Sequence, residues 1–140
     1  MSIANEAANL AGKRLSGSRV QNRRVLADKA RDIKIAADRQ SESAIARFLQ
    51  KEAPFSILTE EAGLLGKSGD RLRWIVDPLD GTMNYSRGMP VSCVSIGFWD
   101  ADAPLLGVVY DFNRSEVFSG ISDGGAWLNG RKIRDRKSVV

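Results

Sequence analysis

The chain has 140 residues, 43% of them hydrophobic, which is enough to form one domain with a substantial core. It contains no histidine and a single cysteine, which excludes an internal disulfide, His-ligated zinc and every nucleophile that depends on a histidine base. The formal net charge is +4, and no apolar run reaches the ~20 residues needed to cross a bilayer.

The first third of the sequence is basic and helical in character. Residues 3–30 mix Ala, Leu and basic side chains, which predicts a helix broken near residues 16–18, where Ser and Gly occur. No aromatic side chain interleaves the basic residues, so we interpret them as a solvated face rather than a nucleic-acid surface. The start lacks the charged and apolar regions of a signal peptide, and together with the single cysteine this predicts a cytoplasmic protein.

A second helix and a series of strands follow. Asp38 has the residue type of a helix N-cap, and the apolar periodicity after it predicts a helix to about Glu52, before Pro54. Strands are predicted at 55–59, 72–77, 91–99, 105–111 and 115–119, with a hairpin-like piece near 126–128 and a loop at 64–70. Cys93 lies in an apolar strand, and we expect it to be buried as a small hydrophobe. Because the predicted helices come first and an antiparallel meander of strands follows them, we expect an α+β fold.

Acidic residues stand at the ends of two predicted strands. Asp77 and Asp80 follow the apolar residues of 72–76, and Glu60 and Glu61 follow those of 55–59. Carboxylates on neighbouring segments are typical ligands of hard divalent cations such as Mg²⁺. We therefore expect a carboxylate cage for a metal at these strand ends.

The residues after Asp77 predict a tight turn into a helix. Pro78 and Gly81 favour the turn, and Thr82 favours the helix start, whose backbone N–H groups suit a phosphate. The motif D-P-x-D-G is also a good generic turn. The acids on two separate strand ends favour the functional interpretation, which is phosphoryl chemistry.

Two other phosphatase chemistries do not fit. Apolar residues follow Cys93, where a cysteine nucleophile would need an Arg to hold the phosphate. An aspartyl nucleophile would need one residue between its two acids, whereas two separate Asp77 from Asp80. Attack on the phosphate by a metal-activated water is therefore the mechanism that the sequence supports best.

Several segments together resemble the inositol monophosphatase family of Mg²⁺-dependent, lithium-sensitive phosphatases. They are D-I-K-I-A-A-D-R-Q-S-E at 32–42, I-L-T-E-E-A-G at 57–63, W-I-V-D-P-L-D-G-T-M-N-Y at 74–85, L-L-G-V-V-Y-D at 105–111 and G-A-W-L-N-G at 125–130. The resemblance covers only the N-terminal half of the family's length. It implies that residues 1–140 form a truncated N-terminal domain, which corresponds to the N-terminal layer of an αβαβα sandwich. The basic ending at 131–140 does not resemble the family's continuation, and we interpret it as a truncation or an altered reading frame.

The resemblance implies roles for individual residues. As metal ligands it implies Glu60, Asp77, the Leu79 carbonyl and Asp80, with Mg²⁺ as the cofactor. As catalytic residues it implies Glu60, Thr82 and Asp38, the Thr82 hydroxyl lying near Glu60 and orienting the attacking water. As substrate-binding groups it implies Asp80, Gly81 and Thr82. If the alignment to the family slips by one residue, Glu60 and Glu61 exchange roles. Asp38 serves either as a helix cap or as a supporting catalytic group. Lys29 corresponds to a Lys near the family's metal site.

A later family element, W-D-x-x-A, supplies one more metal-binding Asp, and residues 99–103 match its letters. Asp100 and Asp102 lie between two predicted strands, however, so we interpret them as solvated acids of a hairpin turn. The true counterpart is expected beyond residue 140.

Two functions follow from the resemblance. The first is metal-dependent hydrolysis of a small polyol or sugar phosphate of the inositol-1-phosphate type, with relatives of bisphosphate nucleotidases or of fructose-1,6-bisphosphatases as alternatives. The second is a catalytically weak fragment that acts as a binding or regulatory module. The expected partner is a small phosphorylated substrate, with neither a membrane nor nucleic acid. A half sandwich exposes apolar surface, so we also expect oligomerisation or aggregation through it.

Overall fold

The computed structural model describes residues 1–22 and 30–134, with the side chains of 1–17 and 38–134. Two long helices precede one mixed sheet. The elements are α1 (Ser2–Asn22), α2 (Ala30–Glu52), β1 (Ser56–Thr59), β2 (Gly63–Leu65), β3 (Leu72–Asp80), α3 (Thr82–Ser86), β4 (Cys93–Asp100), β5 (Ala103–Asp111), β6 (Glu116–Ile121), β7 (Gly125–Leu128) and β8 (Arg131–Ile133). The predicted α+β class is confirmed.

Helix α1 is continuous where a break was predicted, and α2 begins earlier than predicted. The break near residues 16–18 is wrong, because α1 continues to Asn22. Inside a helix, Gly costs about 1 kcal/mol relative to Ala and Ser costs less, and packing can offset both. The N-cap prediction for Asp38 is also wrong, since α2 starts eight residues earlier, at Ala30, within an Ala-containing stretch of good helix formers. The predicted end at Glu52 is confirmed.

The sheet has the order β2-β1-β3-β4-β5-β6-β7-β8 in the described part of the chain. From β3 onward all neighbours are antiparallel, as predicted. The exception is β1, which pairs parallel with β3. The short β2 was missed, because its three residues fall in a Gly-containing stretch that predicted a loop.

The helices cover one face of the sheet. Helix α1 packs on β4 and β5, and α2 packs on β3. Alanines at helical spacing let α1 approach closely, and the core is completed by alternate strand residues. This core includes Ala4, Ala7, Ala8, Ala11, Leu15, Ile45, Leu49, Ile57, Trp74, Val76, Val94, Ile96 and Val108.

The opposite face of the sheet forms an open groove of about 920 Å³. Its lining is largely apolar, and Leu58, Val109 and Phe118 are each more than a third exposed. Glu60 and Asp77 also line it. The groove therefore joins a broad apolar surface to the acidic strand ends.

The hairpin prediction for residues 99–103 is confirmed. Strands β4 and β5 pair up to Asp100 and Ala103, and Ala101 adopts a positive φ of 51° in the turn. Asp102 is exposed in the turn, as predicted, whereas Asp100 is half-buried at the end of β4 and forms an ion pair with Arg71. Among the described helices, none has the length and hydropathy that crossing a bilayer requires.

Candidate active site

Two acids meet at one edge of the sheet because β1 and β3 run parallel. Thr59 lies opposite Val76 at the end of the ladder, and Glu60 and Asp77 are the next residues on the two strands. Their charges interact, since Glu60 contributes to a raised pKa of Asp77. The predicted convergence of acids from two strand ends is therefore present.

The segment from Asp77 to Asp80 is a bulge in β3 and not the predicted tight turn. The register with β4 shifts between these two residues, because Pro78 has no N–H to donate to the ladder. The backbone N–H of Leu79 donates to Oδ1 of Asp77 at 3.1 Å. This bond fixes the Asp77 carboxylate against its own strand.

Helix α3 begins directly after the bulge. Gly81 stands at its N-cap with φ 81°, and a Cβ there would lie 2.7 Å from the Val91 carbonyl oxygen, so the turn requires glycine. The Thr82 hydroxyl donates to the Leu79 carbonyl at 3.0 Å. Its predicted placement near Glu60 stays a prediction.

Asp38 lies inside α2 and is 8% exposed. Its pKa is raised from 3.8 to about 6, mainly by burial and then by the charges of Glu61, Asp77, Glu60 and Glu42, in that order. Helix α2 therefore adds a carboxyl group to the acidic strand ends. The supporting catalytic role of Asp38 stays a prediction.

The acids of this edge repel one another. Burial is the main cause of the raised pKa of Asp77, the Leu79 hydrogen bond opposes it, and the charges of Glu60, Asp80 and Glu61 add to it. Repulsion of this kind is relieved when a divalent cation binds between the carboxylates. The donors are all oxygens, which suits a hard cation.

Among the side chains that the structure describes, those of residues 1–17 and 38–134, no three from Asp, Glu or Cys have the arrangement of a metal site. The oxygen atoms that could hold a cation are those of carboxylate pairs and of the Leu79 carbonyl. Mg²⁺ is commonly held by one or two carboxylates, with waters and substrate phosphate oxygens completing its shell. The set fits such a cation, and the ligand assignments of Glu60, Asp77, Leu79 and Asp80 stay predictions.

Sequence reasoning missed the role of Glu42. This side chain is 7% exposed, and its Oε1 accepts a hydrogen bond from the backbone N–H of Ala62 at 3.0 Å. Its position one helical turn after Asp38 was a usable signal, since residues four apart share a helix face.

The expectation for Cys93 is wrong, because this residue is only partly buried. Its Sγ lies 3.7 Å from Oδ2 of Asp80, its cross-strand partner. Burial, followed by the Asp80 charge, raises the pKa of the thiol to about 12. A cavity of about 310 Å³ adjoins this pair and is also lined by Gly81, Asp111 and Arg114.

Lys29 lies outside the described residues, as do the last six residues, 135–140. Glu60 and Glu61 are both exposed, so their exchange of roles stays open. Asp38 lies on α2, and the remaining predicted site residues lie at the ends of β1 and β3, in the bulge and at the start of α3.

The sequence matches the model of the inositol monophosphatase family over residues 1–139. The inositol-1-monophosphatase of Synechocystis sp. is 44% identical over 107 residues, which cover 76% of this chain and 37% of that protein. The Nus factor SuhB of Xylella fastidiosa is 44% identical over 98 residues, which cover 69% of this chain and 35% of that protein.

Among solved structures, the inositol monophosphatase of Anabaena (Nostoc) sp. superposes with a TM-score of 0.83 at 37% identity. The match covers 99% of this chain and 50% of that structure. The chain thus spans about half the length of the relatives it matches, or less, in agreement with a resemblance to one half of the family's fold. On these matches, the chain belongs to the inositol monophosphatase family.

Proposed function

We propose that this chain carries the metal- and phosphate-binding part of a phosphomonoesterase that hydrolyses a small polyol or sugar phosphate. The observation that supports this most is the meeting of Glu60 and Asp77 at parallel strand ends, next to the bulge and the start of α3. Hard-cation donors and backbone N–H groups for a phosphate lie within one short stretch of chain.

Glu60, Asp77, the Leu79 carbonyl and Asp80 would hold Mg²⁺. When bound, the ion supplies Lewis acidity toward the phosphate and a water of lowered pKa. Asp77 is fixed for this task by the Leu79 N–H, and the Leu79 carbonyl is oriented by the Thr82 hydroxyl. The N–H groups of Gly81 and Thr82 would orient the phosphate.

The cavity beside Asp80 is of a suitable size for a small substrate. Its volume of about 310 Å³ is at the lower end of the range of small-molecule sites. Arg114 contributes a positive charge to its lining, and Asp111 pairs with it at 2.6 Å. A phosphorylated polyol, with one anionic group and several hydroxyls, fits this mixture of charged and polar groups.

A second candidate is a catalytically weak module that binds a metal or a partner. The open apolar groove on the sheet favours it. In either case we propose a cytoplasmic setting, which suits a chain with one cysteine. We also propose self-association through the open face.

The test is phosphate release from inositol-1-phosphate and a panel of sugar phosphates, with and without Mg²⁺. Asp77→Asn removes a proposed ligand, and Asp102→Asn is a matched control in the β4–β5 turn. Mg²⁺-dependent release that is lost in Asp77→Asn and kept in Asp102→Asn supports the enzyme. Mg²⁺ binding by calorimetry without any release supports the second candidate. Absence of Mg²⁺ binding by the folded chain contradicts the proposed metal site.

A further inference from the structure

The connection between β1 and β2 is hydrogen-bonded to helix α2. Thr59 pairs with Gly63 at the end of the hairpin, so Glu60 lies in a connection of three residues. The N–H of Ala62, at the end of this connection, donates to Oε1 of Glu42 at 3.0 Å. The same N–H also lies 3.1 Å from the Thr59 hydroxyl.

The two acceptors differ in what they fix. Thr59 belongs to the strand that begins the connection, so its bond only closes the turn on itself. Glu42 belongs to α2, a helix of 23 residues that packs on β3. Its bond therefore fixes the turn relative to β3, which carries Asp77.

We propose that Glu42 is a positioning residue that fixes the Glu60 turn relative to Asp77, so that both carboxylates face one divalent cation. This inference rests on the proposed function. A hydrogen bond from α2 restricts where the Glu60 turn can lie, and groups that orient metal ligands typically change metal affinity ~10–100-fold when they are removed.

The negative charge of Glu42 supports a role beyond the hydrogen bond. Glu42 adds one more charge to a region where carboxylates already repel one another, and this charge is felt at Asp38. A glutamine could accept the same bond from Ala62 without adding that repulsion. A nearby cation would offset part of the cost of burying a carboxylate here.

Two variants separate the hydrogen bond from the charge. Glu42→Gln keeps an acceptor for the Ala62 N–H and removes the charge, whereas Glu42→Ala removes both. Glu52→Ala is the matched control, because Glu52 is an acid on the same helix whose partner is the exposed neighbour Lys51. Circular dichroism establishes that each variant is folded.

The readouts are the Mg²⁺ dissociation constant by calorimetry and the hydrogen–deuterium exchange rate of the Ala62 amide without Mg²⁺. We expect the Glu42→Ala variant to bind Mg²⁺ at least ~10-fold more weakly than the wild type. Its Ala62 amide should exchange hydrogen at least ~10-fold faster. Glu42→Gln should keep the slow exchange and lose a few-fold in affinity, with a weaker dependence of binding on salt concentration. Glu52→Ala should match the wild type in both.

The outcomes are distinguishable. Wild-type Mg²⁺ affinity in a folded Glu42→Ala variant overturns the positioning role, even if the Ala62 amide exchanges faster. If Glu42→Ala does not fold, wild-type affinity and salt dependence in Glu42→Gln overturn the role of the charge, and a loss in both supports it. Absence of Mg²⁺ binding by the wild-type chain overturns the proposed function itself, and the positioning role with it.

Discussion

The hydroxyl of Thr82 donates a hydrogen bond to the carbonyl oxygen of Leu79 at 3.0 Å. This contact links the first residue of α3 to the bulge of β3 and holds the carbonyl that is proposed as a metal ligand. A carbonyl oxygen has two lone pairs, so one can accept from Thr82 while the other faces a cation. This single bond thereby couples the turn that is proposed to bind phosphate to the proposed metal site.

Thr82→Val is expected to weaken this coupling. The substitution removes the hydroxyl at similar volume and should cost about 1 kcal/mol in the free energy of unfolding, measured by urea denaturation without metal. Mg²⁺ affinity should fall as well, since the Leu79 carbonyl is no longer held. Thr82→Ser keeps a hydroxyl and serves as the control. Equal Mg²⁺ affinity in the Val and Ser variants would argue against Leu79 as a ligand.

Gly81→Ala should destabilise the chain more than Gly88→Ala. Both glycines have similar positive φ angles, 81° and 72°, so each substitution carries a backbone cost of about 1 kcal/mol. Only at Gly81 would the new Cβ lie 2.7 Å from the Val91 carbonyl oxygen, whereas nothing lies within 4 Å at Gly88.

The difference in unfolding free energy between the two variants measures the steric cost of the new Cβ at position 81, because both variants carry the same cost of positive φ. We expect Gly81→Ala to cost an additional 1–3 kcal/mol or so, measured as the difference in unfolding free energy in urea. Two variants of equal stability would mean that the segment before β4, which contains Val91, moves away freely from the turn, and that glycine is needed at position 81 for its φ alone.

Much of the fold follows from local patterns in the sequence. Alternation of apolar and polar residues identified the strands from β3 to β6, and Pro54 marked the end of α2 correctly. The start of α2 was missed because Asp38 is a good N-cap by residue type, although the cost of Asp inside a helix is below about 1 kcal/mol and tertiary packing can override it. The parallel pairing of β1 with β3 depends on contacts distant in sequence and leaves no local signal.

The site was predictable to the extent that it lies on one stretch of chain. Asp77, Asp80, Gly81 and Thr82 are close in sequence, and their types indicate a metal next to a phosphate. The anchoring of the Glu60 turn by Glu42 was not predictable, since it joins residues 20 positions apart. The bulge was also missed, because a turn and a bulge both favour Pro and Gly.

Asp38→Asn is expected to stabilise the metal-free chain at pH 7. The pKa of Asp38 is about 6 in the folded chain and 3.8 ordinarily, so the folded state binds this proton more tightly. The stability that protonated Asp38 contributes is therefore fully present below pH 3.8 and is lost as the pH rises through about 6. At pH 7 the wild type carries a disfavoured charge that the Asn variant lacks.

The gain should be about 1–2 kcal/mol at pH 7, allowing for partial screening by water, and should vanish near pH 4, where Asp38 is protonated. Urea unfolding at both pH values measures it, and Asp102→Asn, at an exposed turn, should show no such pH-dependent gain. A loss of stability in Asp38→Asn at pH 7 would show that the ionised carboxylate makes stabilising contacts that outweigh its burial.

The Cys93 thiol should react slowly in the native chain. Burial and the Asp80 charge raise its pKa from 9.0 to about 12, and the thiolate is the reactive form. The thiolate that remains is more nucleophilic because its pKa is higher, which offsets part of the effect. Alkylation by iodoacetamide at pH 8 should therefore be at least ~10-fold slower in the folded chain than in urea.

Asp80→Asn separates the two causes of this raised pKa. It removes the carboxylate 3.7 Å from the thiol but leaves the burial, so the folded variant should react a few-fold faster than the wild type while staying slower than the unfolded chain. Mass spectrometry of the alkylated peptide gives both rates, with Asp102→Asn as the charge-matched control. An unchanged rate in Asp80→Asn would mean that burial alone suppresses the thiolate, and that the Asp80 carboxylate points away from Cys93 in solution.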